Sequence, residues 1–378
     1  MDPDVSILLH CASWRGLREW QVQVELSSRF NRHASPDIEE HIESMWEERI
    51  KREPWLFNGA KFRLHSTNWT THHIPTSRPH DAKGAQVQEK TTREASGQQC
   101  CCSGEKGRDE AHKHAQCGGQ HAVPLPNTYS GDSPVVKSHS LKGSGCLGEP
   151  RRVLLSLQLG LTCYKDYLGT NWSERVGELQ RRGAVELGNP QSLLAQPLGV
   201  GAVMATADGQ VVLLKRSQKV AEAAGLLDIP GGHPEPKAVC NGISEESITI
   251  ESLQGKEEAV LKEIFSSVLA EIRDEVNVPL SSLSEPILLG IALNHTSAGR
   301  PSAEFYVRCF LTADEVKTVY RRGGPEANES TDVVFLEETE WLALDESAPL
   351  WSELCPSAKG AIILHQKVMP VNDQNQNV

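Results

Sequence analysis

The apolar positions of this chain follow two periods, helical and extended, separated by one long stretch that follows neither. Over 256–278 (KEEAVLKEIFSSVLAEIRDEVNV), Leu261, Phe265, Val268, Ile272 and Val276 recur at steps of three and four, which predicts a helix with one face on a core. A second helix is predicted over 37–52, with Ile38, Ile42 and Trp46 on one side and a start at Ser35 and Pro36. Alternating positions over 197–207 and 210–215, joined by Asp208 and Gly209, predict a hairpin. Further strands are expected over 153–161, 287–293, 303–311 and 333–336, and 54–64 reads as a loop entering a strand. Helices are expected over 173–182 from a Ser173 cap, over 312–322, and over 357–368. Strands and helices in this order predict an α/β (α+β) sandwich.

Between 67 and 152 no hydrophobic period persists; Gly, Ser, Pro, Gln, His and charge dominate, and only Trp69 and Tyr129 are aromatic. Such a segment cannot bury enough apolar surface to offset its ordering entropy, so it is expected to be disordered. The expected organisation is therefore an N-terminal region made of 1–66 and 153–195, an insert at 67–152, a second domain over 196–370, and a flexible tail over 371–378. The insert holds Cys102, His112, His114, Cys117 and His121, but no C-x-x-C pair, so a zinc site is not expected there.

Charge narrows the partners. A net charge of −12 with no dominant basic face argues against nucleic acid and for a small molecule. The N-terminal MDPDVSILLHCASW has no basic start and only a short apolar run, so neither a secretory signal nor a membrane span is expected. Ten cysteines without a signal read as free thiols in a reducing compartment, cytosol or nucleus.

The candidate chemistry sits at the end of the 256–278 helix. At about 100° per residue, Glu271 and Glu275 lie one turn apart at the edge of the apolar stripe, with Asp274 further round. Carboxylates at a helix C-terminus are disfavoured by the helix dipole unless a cation compensates. Either this is a solvated acidic end, with Arg273 as a neighbouring cation, or it holds Mg²⁺ or Mn²⁺, hard cations that keep waters and share phosphate oxygens. Upstream, GLLDIPGGHPE looks like a strand breaking at Gly231 and Gly232, where backbone can approach a ligand closely. Arg216 ends a hairpin strand and either forks onto a phosphate or is solvated. Asp228 either positions a sugar or base edge or bonds turn amides. Phe57 is a base-stacking ring or a core residue, and Tyr164 offers a ring with a hydroxyl. Lys165, Thr170 and Asn171 read as loop residues near a cleft wall or as ordinary surface groups. Ser357 either meets a phosphate at a helix N-terminus or caps that helix.

The PGG turn followed by a helix ending in E-hydrophobic-x-acid-acid resembles the Nudix hydrolase box, with Glu271, Ile272, Asp274, Glu275 and Val278 in its second half. Ala238, Ala270 and Asn277 depart from that pattern, and the loop between glycines and helix is longer than usual. LGTNW at 168–172, NHTSAGRPSAEFYV at 294–307 and ELCPSAKGAIIL at 353–364 are similar to the branch of the family in vertebrates that hydrolyses UDP-glucose and UDP-galactose. The resemblance implies a mixed sheet between helices and Mg-dependent hydrolysis of a UDP-sugar to UMP and a sugar 1-phosphate. It implies Glu271 and Glu275 as metal ligands, Asp274 as a weaker third, Gly231 and Gly232 beside the metal and substrate, and Phe57 and Tyr164 at uracil. It assigns no general base; Glu304 is a candidate. Two alternatives stand beside it: a Nudix hydrolase of another nucleoside diphosphate derivative, and an inactive nucleotide-binding module.

Overall fold

The computed structural model describes residues 2–70, 154–220, 222–326 and 328–369. The strands are β1 Val5–His10, β2 Val22–Leu26, β3 Ala60–Trp69, β4 Leu155–Cys163, β5 Gly199–Ala205, β6 Gln210–Arg216, β7 Leu227–Asp228, β8 Gly231–Gly232, β9 Ile287–Asn294, β10 Arg300–Arg308 and β11 Ser330–Glu337. The helices are α1 Pro36–Arg52, α2 Tyr164–Gly169, α3 Val176–Leu187, α4 Pro236–Val239, α5 Ile250–Leu253, α6 Glu257–Val276, α7 Ala313–Tyr320, α8 Glu338–Ala343 and α9 Pro356–Val368.

The larger sheet runs β1-β9-β10-β5-β6-β11, with β7 on β6 and β8 on β5. It is mixed: β10 and β5 are parallel, whereas β9 with β10 and β6 with β11 are antiparallel. Strands β5 and β6 are apolar on both faces. Val200, Ala202, Met204, Val212 and Leu214 pack with Ile264, Val268 and Ile272 of α6, while the alternate Val203, Val211 and Leu213 pack with Ala361, Ile362 and Leu364 of α9. A strand whose neighbours on both sides are helices has no solvent face, so the period-2 polar positions disappear from it. The expected sandwich, a mixed sheet between helices, is the fold observed.

The smaller sheet, β2-β4-β3, joins the α6 side of that core through Val24, Leu26, Phe62, Leu64, Leu155, Leu157 and Leu159. Arg63 ties it to the strand that follows. Its guanidinium is buried and donates to the carbonyls of Leu194 at 3.2 Å, Phe30 at 2.9 Å and Gln191 at 2.8 Å. Gln191 C=O also accepts from Leu194 N–H at 3.1 Å, whereas the guanidinium is the partner of the Leu194 and Phe30 carbonyls, on two segments packed inside the fold. The segment with Leu194 leads directly into β5, the strand beneath the glycine pair.

Several expectations shift. The pattern expects an insert from Thr67, yet β3 continues to Trp69, which pairs with Leu155, and Thr70 N–H donates to Leu154 C=O at 2.7 Å. The two chain ends flanking 71–153 are thus neighbours in one antiparallel ladder. The expected disorder and the Cys102, His112, His114, Cys117 and His121 group lie outside the described residues. Residues 164–169, read as loop, form α2, and Thr170 and Asn171 are buried rather than surface groups. Thr170 Oγ1 donates to Asp166 C=O at 2.7 Å and accepts from Ala195 N–H at 3.0 Å, and Asn171 Nδ2 donates to Ser297 C=O at 3.0 Å. Their polarity serves buried backbone. The expected helix from Ser173 begins at Val176 instead, with Ser173 Oγ accepting from Arg175 N–H in the preceding turn. The long link between β8 and α6 folds into α4 and α5. Asn277 ends α6 at φ 62°, the left-handed cap position its side chain tolerates. No helix among the described residues is long and apolar enough to cross a membrane.

Two stability tests follow. A variant joining Thr70 to Leu154 by a short glycine-containing turn in place of 71–153 is expected to keep the wild-type melting temperature, measured by calorimetry; a marked fall would show that the excised residues support the core. Arg63→Met is expected to lower stability by roughly 2 kcal/mol or more in urea unfolding, because it orphans the Leu194 and Phe30 carbonyls and removes hydrogen bonds to a charge. An unchanged midpoint would refute the tie.

Candidate active site

The second half of α6 lies against the glycine pair, and that contact builds the site. Gly231 and Gly232 form β8, pairing with Gly201 and Val200 of β5. A side chain at Gly231 would run into the Val200 carbonyl, and one at Gly232 would occupy the place of the Glu271 carboxylate. Bare backbone therefore lets the helix approach the sheet. Gly231 N–H donates to Glu275 Oε2 at 2.9 Å.

Both glutamates are held in unfavourable surroundings for their charge. Burial pushes the Glu271 carboxyl up to about 7, with Glu326 adding repulsion. Glu275 is 5% exposed, and burial raises it well above the usual carboxylate range despite the Gly231 amide. Two acids one turn apart, Glu275 buried and Glu271 half-buried, are stabilised by a cation between them and the solvent. No group of three or more His, Cys, Asp or Glu residues converges on one point among the described residues. Two carboxylates fit a hard cation that keeps several waters and draws its remaining oxygens from a phosphate, and they do not fit a closed structural site.

Asp274 is set apart from this pair. Its carboxylate forks onto Arg273, at 2.7 and 2.5 Å, whereas Glu271 lines the cavity and Glu275, outside the lining, is held on the Gly231 amide. The expected third acid at the metal is thus occupied by a helix-surface ion pair, because α6 turns it away from the glycines.

In front of the glycines opens a cavity of about 320 Å³ whose lining includes Arg216, Asp228, Gly231, Gly232, Glu271 and Ser357. Arg216 Nη1 meets Asp228 Oδ2 at 3.2 Å, and its Nε donates to Glu222 C=O at 3.1 Å. Asp228 Oδ1 in turn accepts from Ser357 Oγ at 2.7 Å and from Ile229 N–H at 2.9 Å. This chain links the end of β6, β7 and the first turn of α9. Ser357 sits inside α9, whose N-cap is Cys355, so its hydroxyl serves Asp228 rather than capping the helix.

A second lobe, about 570 Å³, shares Lys61, Arg216, Glu222, His233 and Arg300 with the first and adds Tyr164, Tyr167 and Trp172. Tyr164 packs edge-on against Trp46, ring centroids 6.4 Å apart, and is half-buried. Phe57 is 72% exposed, neither core nor part of either lining, and its ring lies over Gly59, where an added Cβ would come within 3.2 Å.

Sequence reasoning missed several residues here. His233 follows the glycines directly, and burial with the nearby Arg300 and Lys61 charges keeps its imidazole neutral. Glu222 and Arg300 meet at 3.3 Å from segments 78 residues apart, so no local spacing reveals them. Lys61 of β3 pairs with Glu235 at 3.1 Å, bringing the small sheet to the rim. Glu304 is fully buried behind Gly201 and does not line the cavity; burial pushes it up to about 8.

No family model matches the chain. It is 43% identical over 368 residues to the human uridine diphosphate glucose pyrophosphatase NUDT22, covering 97% of this chain and 94% of that one. The mouse protein of the same name is 42% identical over 371 residues, covering 98% and 93%. Nudix hydrolase 9 of Arabidopsis thaliana is 26% identical over 377 residues, covering 98% and 93%. Among solved structures, the MutT protein of Methanosarcina mazei Go1 covers 47% of this chain and 95% of its own at 14% identity, with a TM-score of 0.28 that is too low to argue from. With the glutamate pair over two glycines and identity sustained along nearly the whole of both chains, this protein belongs to the Nudix hydrolase family, alongside the NUDT22 proteins.

Proposed function

We propose that this chain hydrolyses the diphosphate of UDP-sugars, UDP-glucose and UDP-galactose, to UMP and a sugar 1-phosphate, with Mg²⁺ bound by Glu271 and Glu275. The observation that carries the reading is the glutamate pair on a two-glycine floor, Glu271 half-buried on the cleft lining and Glu275 buried behind it, with Lys61, Arg216 and Arg300 lining both lobes and aromatic rings in the second. The names of the 42–43% identical relatives supply the substrate class.

Diphosphate cleavage is a problem of developing charge and alignment rather than of covalent catalysis. The bound cation would neutralise phosphate oxygens and lower the pKa of a coordinated water. Glu271 and Glu275 hold it where the Gly231–Gly232 backbone leaves room for phosphate. Glu275 is kept in place by the Gly231 amide, so its second oxygen remains for the metal. Arg216 is held by Asp228, and Asp228 by Ser357, which sets a guanidinium edge at the cavity wall for an anionic group. The Tyr164 ring, in the aromatic lobe, suits a planar base, and Phe57, exposed and outside both linings, is the second ring proposed for uracil. Water attack at phosphorus breaks the phosphoanhydride bond, and the two protons of that water leave to solvent or to the product phosphates.

Glu271→Gln is expected to lower Mg-dependent release of UMP from UDP-glucose by about 10³-fold or more while leaving the melting temperature near wild type, since it removes a ligand and a buried charge together. Chromatographic product analysis checks this; wild-type turnover in the variant would sink the metal assignment. Gly232→Ala is expected to weaken Mn²⁺ binding, read by calorimetry, because the added methyl takes the place of the Glu271 carboxylate. Unaltered affinity would show that the close approach at Gly232 is not what sets the ligand.

A further inference from the structure

Within the described residues, the buried side-chain polar atoms without a hydrogen-bond partner are Tyr167 Oη, Arg300 Nε, both Glu304 oxygens and His365 Nε2. Arg300 is the cation in this set, and it lines both lobes of the cleft. A buried donor left unpaired costs about 1–3 kcal/mol, more beside a charge, so its retention calls for a ligand.

Its setting names the ligand. The Arg300 side chain is 12% exposed and is held at both terminal nitrogens, leaving Nε without a partner: Nη2 donates to Glu222 Oε2 at 3.3 Å, and Nη1 points at His233 Nε2 at 3.3 Å. Glu222 is fixed in turn through its other oxygen, which accepts from Ser297 Oγ at 2.6 Å and Asn294 Nδ2 at 3.2 Å. Gly199 makes room for the guanidinium, since a Cβ there would stand 3.3 Å from Nη1 and 3.6 Å from the Gly232 carbonyl. Glu271 packs on the same Gly232 from the α6 side, so guanidinium and carboxylate flank one stretch of bare backbone. Of the three cations on the first lobe, Lys61 is paired with Glu235 and Arg216 with Asp228; Arg300 is the one that keeps a buried, unpartnered N–H. A guanidinium on the cleft lining with an unpartnered Nε–H, beside a glutamate metal site, fits an oxygen of a diphosphate.

We infer that Arg300 is a substrate-binding residue that clamps the diphosphate from the side opposite Glu271, and that Glu222, anchored by Ser297 and Asn294, aims it. This rests on the proposed function for the sugar nucleotide but not for the anion. It also gives the NHTSAGR stretch a role: Asn294 and Ser297 orient Glu222, and Arg300 is what they orient.

The test pairs binding with turnover, using the full chain, Arg300→Gln and Arg300→Lys. In the wild type, Mg²⁺ with inorganic pyrophosphate raises the melting temperature; in Arg300→Gln that rise disappears, while the rise given by uridine remains. Arg300→Lys keeps the charge but loses the fork and falls between them. With UDP-glucose and UDP-galactose, kcat/KM falls by about 10- to 100-fold in Arg300→Gln and by the same factor for both sugars, as loss of a charged hydrogen bond to a shared group requires. A pyrophosphate response retained in Arg300→Gln, or absent from the wild type, overturns the clamp. So does a loss that differs between the two sugars, which would place the guanidinium at a sugar hydroxyl. Wild-type protein that turns over neither sugar nucleotide refutes the proposed function alone, because the pyrophosphate arm still reads the clamp.

Discussion

The close contact between the second half of α6 and the Gly231–Gly232 pair is the constraint on which the rest depends. It works only because neither glycine has a side chain: at one a Cβ would enter the Val200 carbonyl, at the other it would displace Glu271. The helix is pressed there by an apolar face that shares a core with both sheets, and Val260, Ile264, Val268, Ile272 and Val276 are all buried in it. Burial that stabilises the fold thereby drags two carboxylates out of water. A group so placed favours whatever restores its charge balance, and a hard divalent cation with a phosphate does so with the fewest protein ligands.

Cleft and scaffold are joined by a small number of polar ties. Arg63 holds the loop entering β5, Asp228 joins Arg216 to Ser357, and the Thr170 and Asn171 side chains satisfy backbone around residues 195 and 297. None of these touches a phosphate in the proposed complex except through the residue it orients. They keep the aromatic lobe and the acidic floor in one frame, although they come from segments more than 100 residues apart in sequence.

Much of this frame was legible from periodicity. The α6 stripe, the β5–β6 hairpin at Asp208–Gly209, and the PGG break have local causes, so spacing alone placed them. Other features have no local cause. Asp274 reads as a third acid at the metal, but a one-residue step on a helix turns it about 100° from its neighbour, where Arg273 holds it. Thr170 and Asn171 look like surface polarity because sequence cannot show which buried carbonyls and amides need partners. Glu222 and Arg300 are invisible for the opposite reason: the pair exists only once β10 starts at Arg300 and lies beside the segment after β6. The boundary at 67 was misplaced because a polar composition hid the strand continuing through Ser66, Thr67 and Asn68 to Trp69.

The most direct single measurement is anomalous diffraction from crystals of the protein soaked with Mn²⁺ and UDP. One strong manganese peak within coordination distance of the Glu271 and Glu275 carboxylates, and bridged to a phosphate oxygen above Gly231 and Gly232, is the expected result. Manganese bound at Asp274 or elsewhere, with the Glu271–Glu275 pair empty and the phosphates away from the glycines, would contradict a site built on that pair.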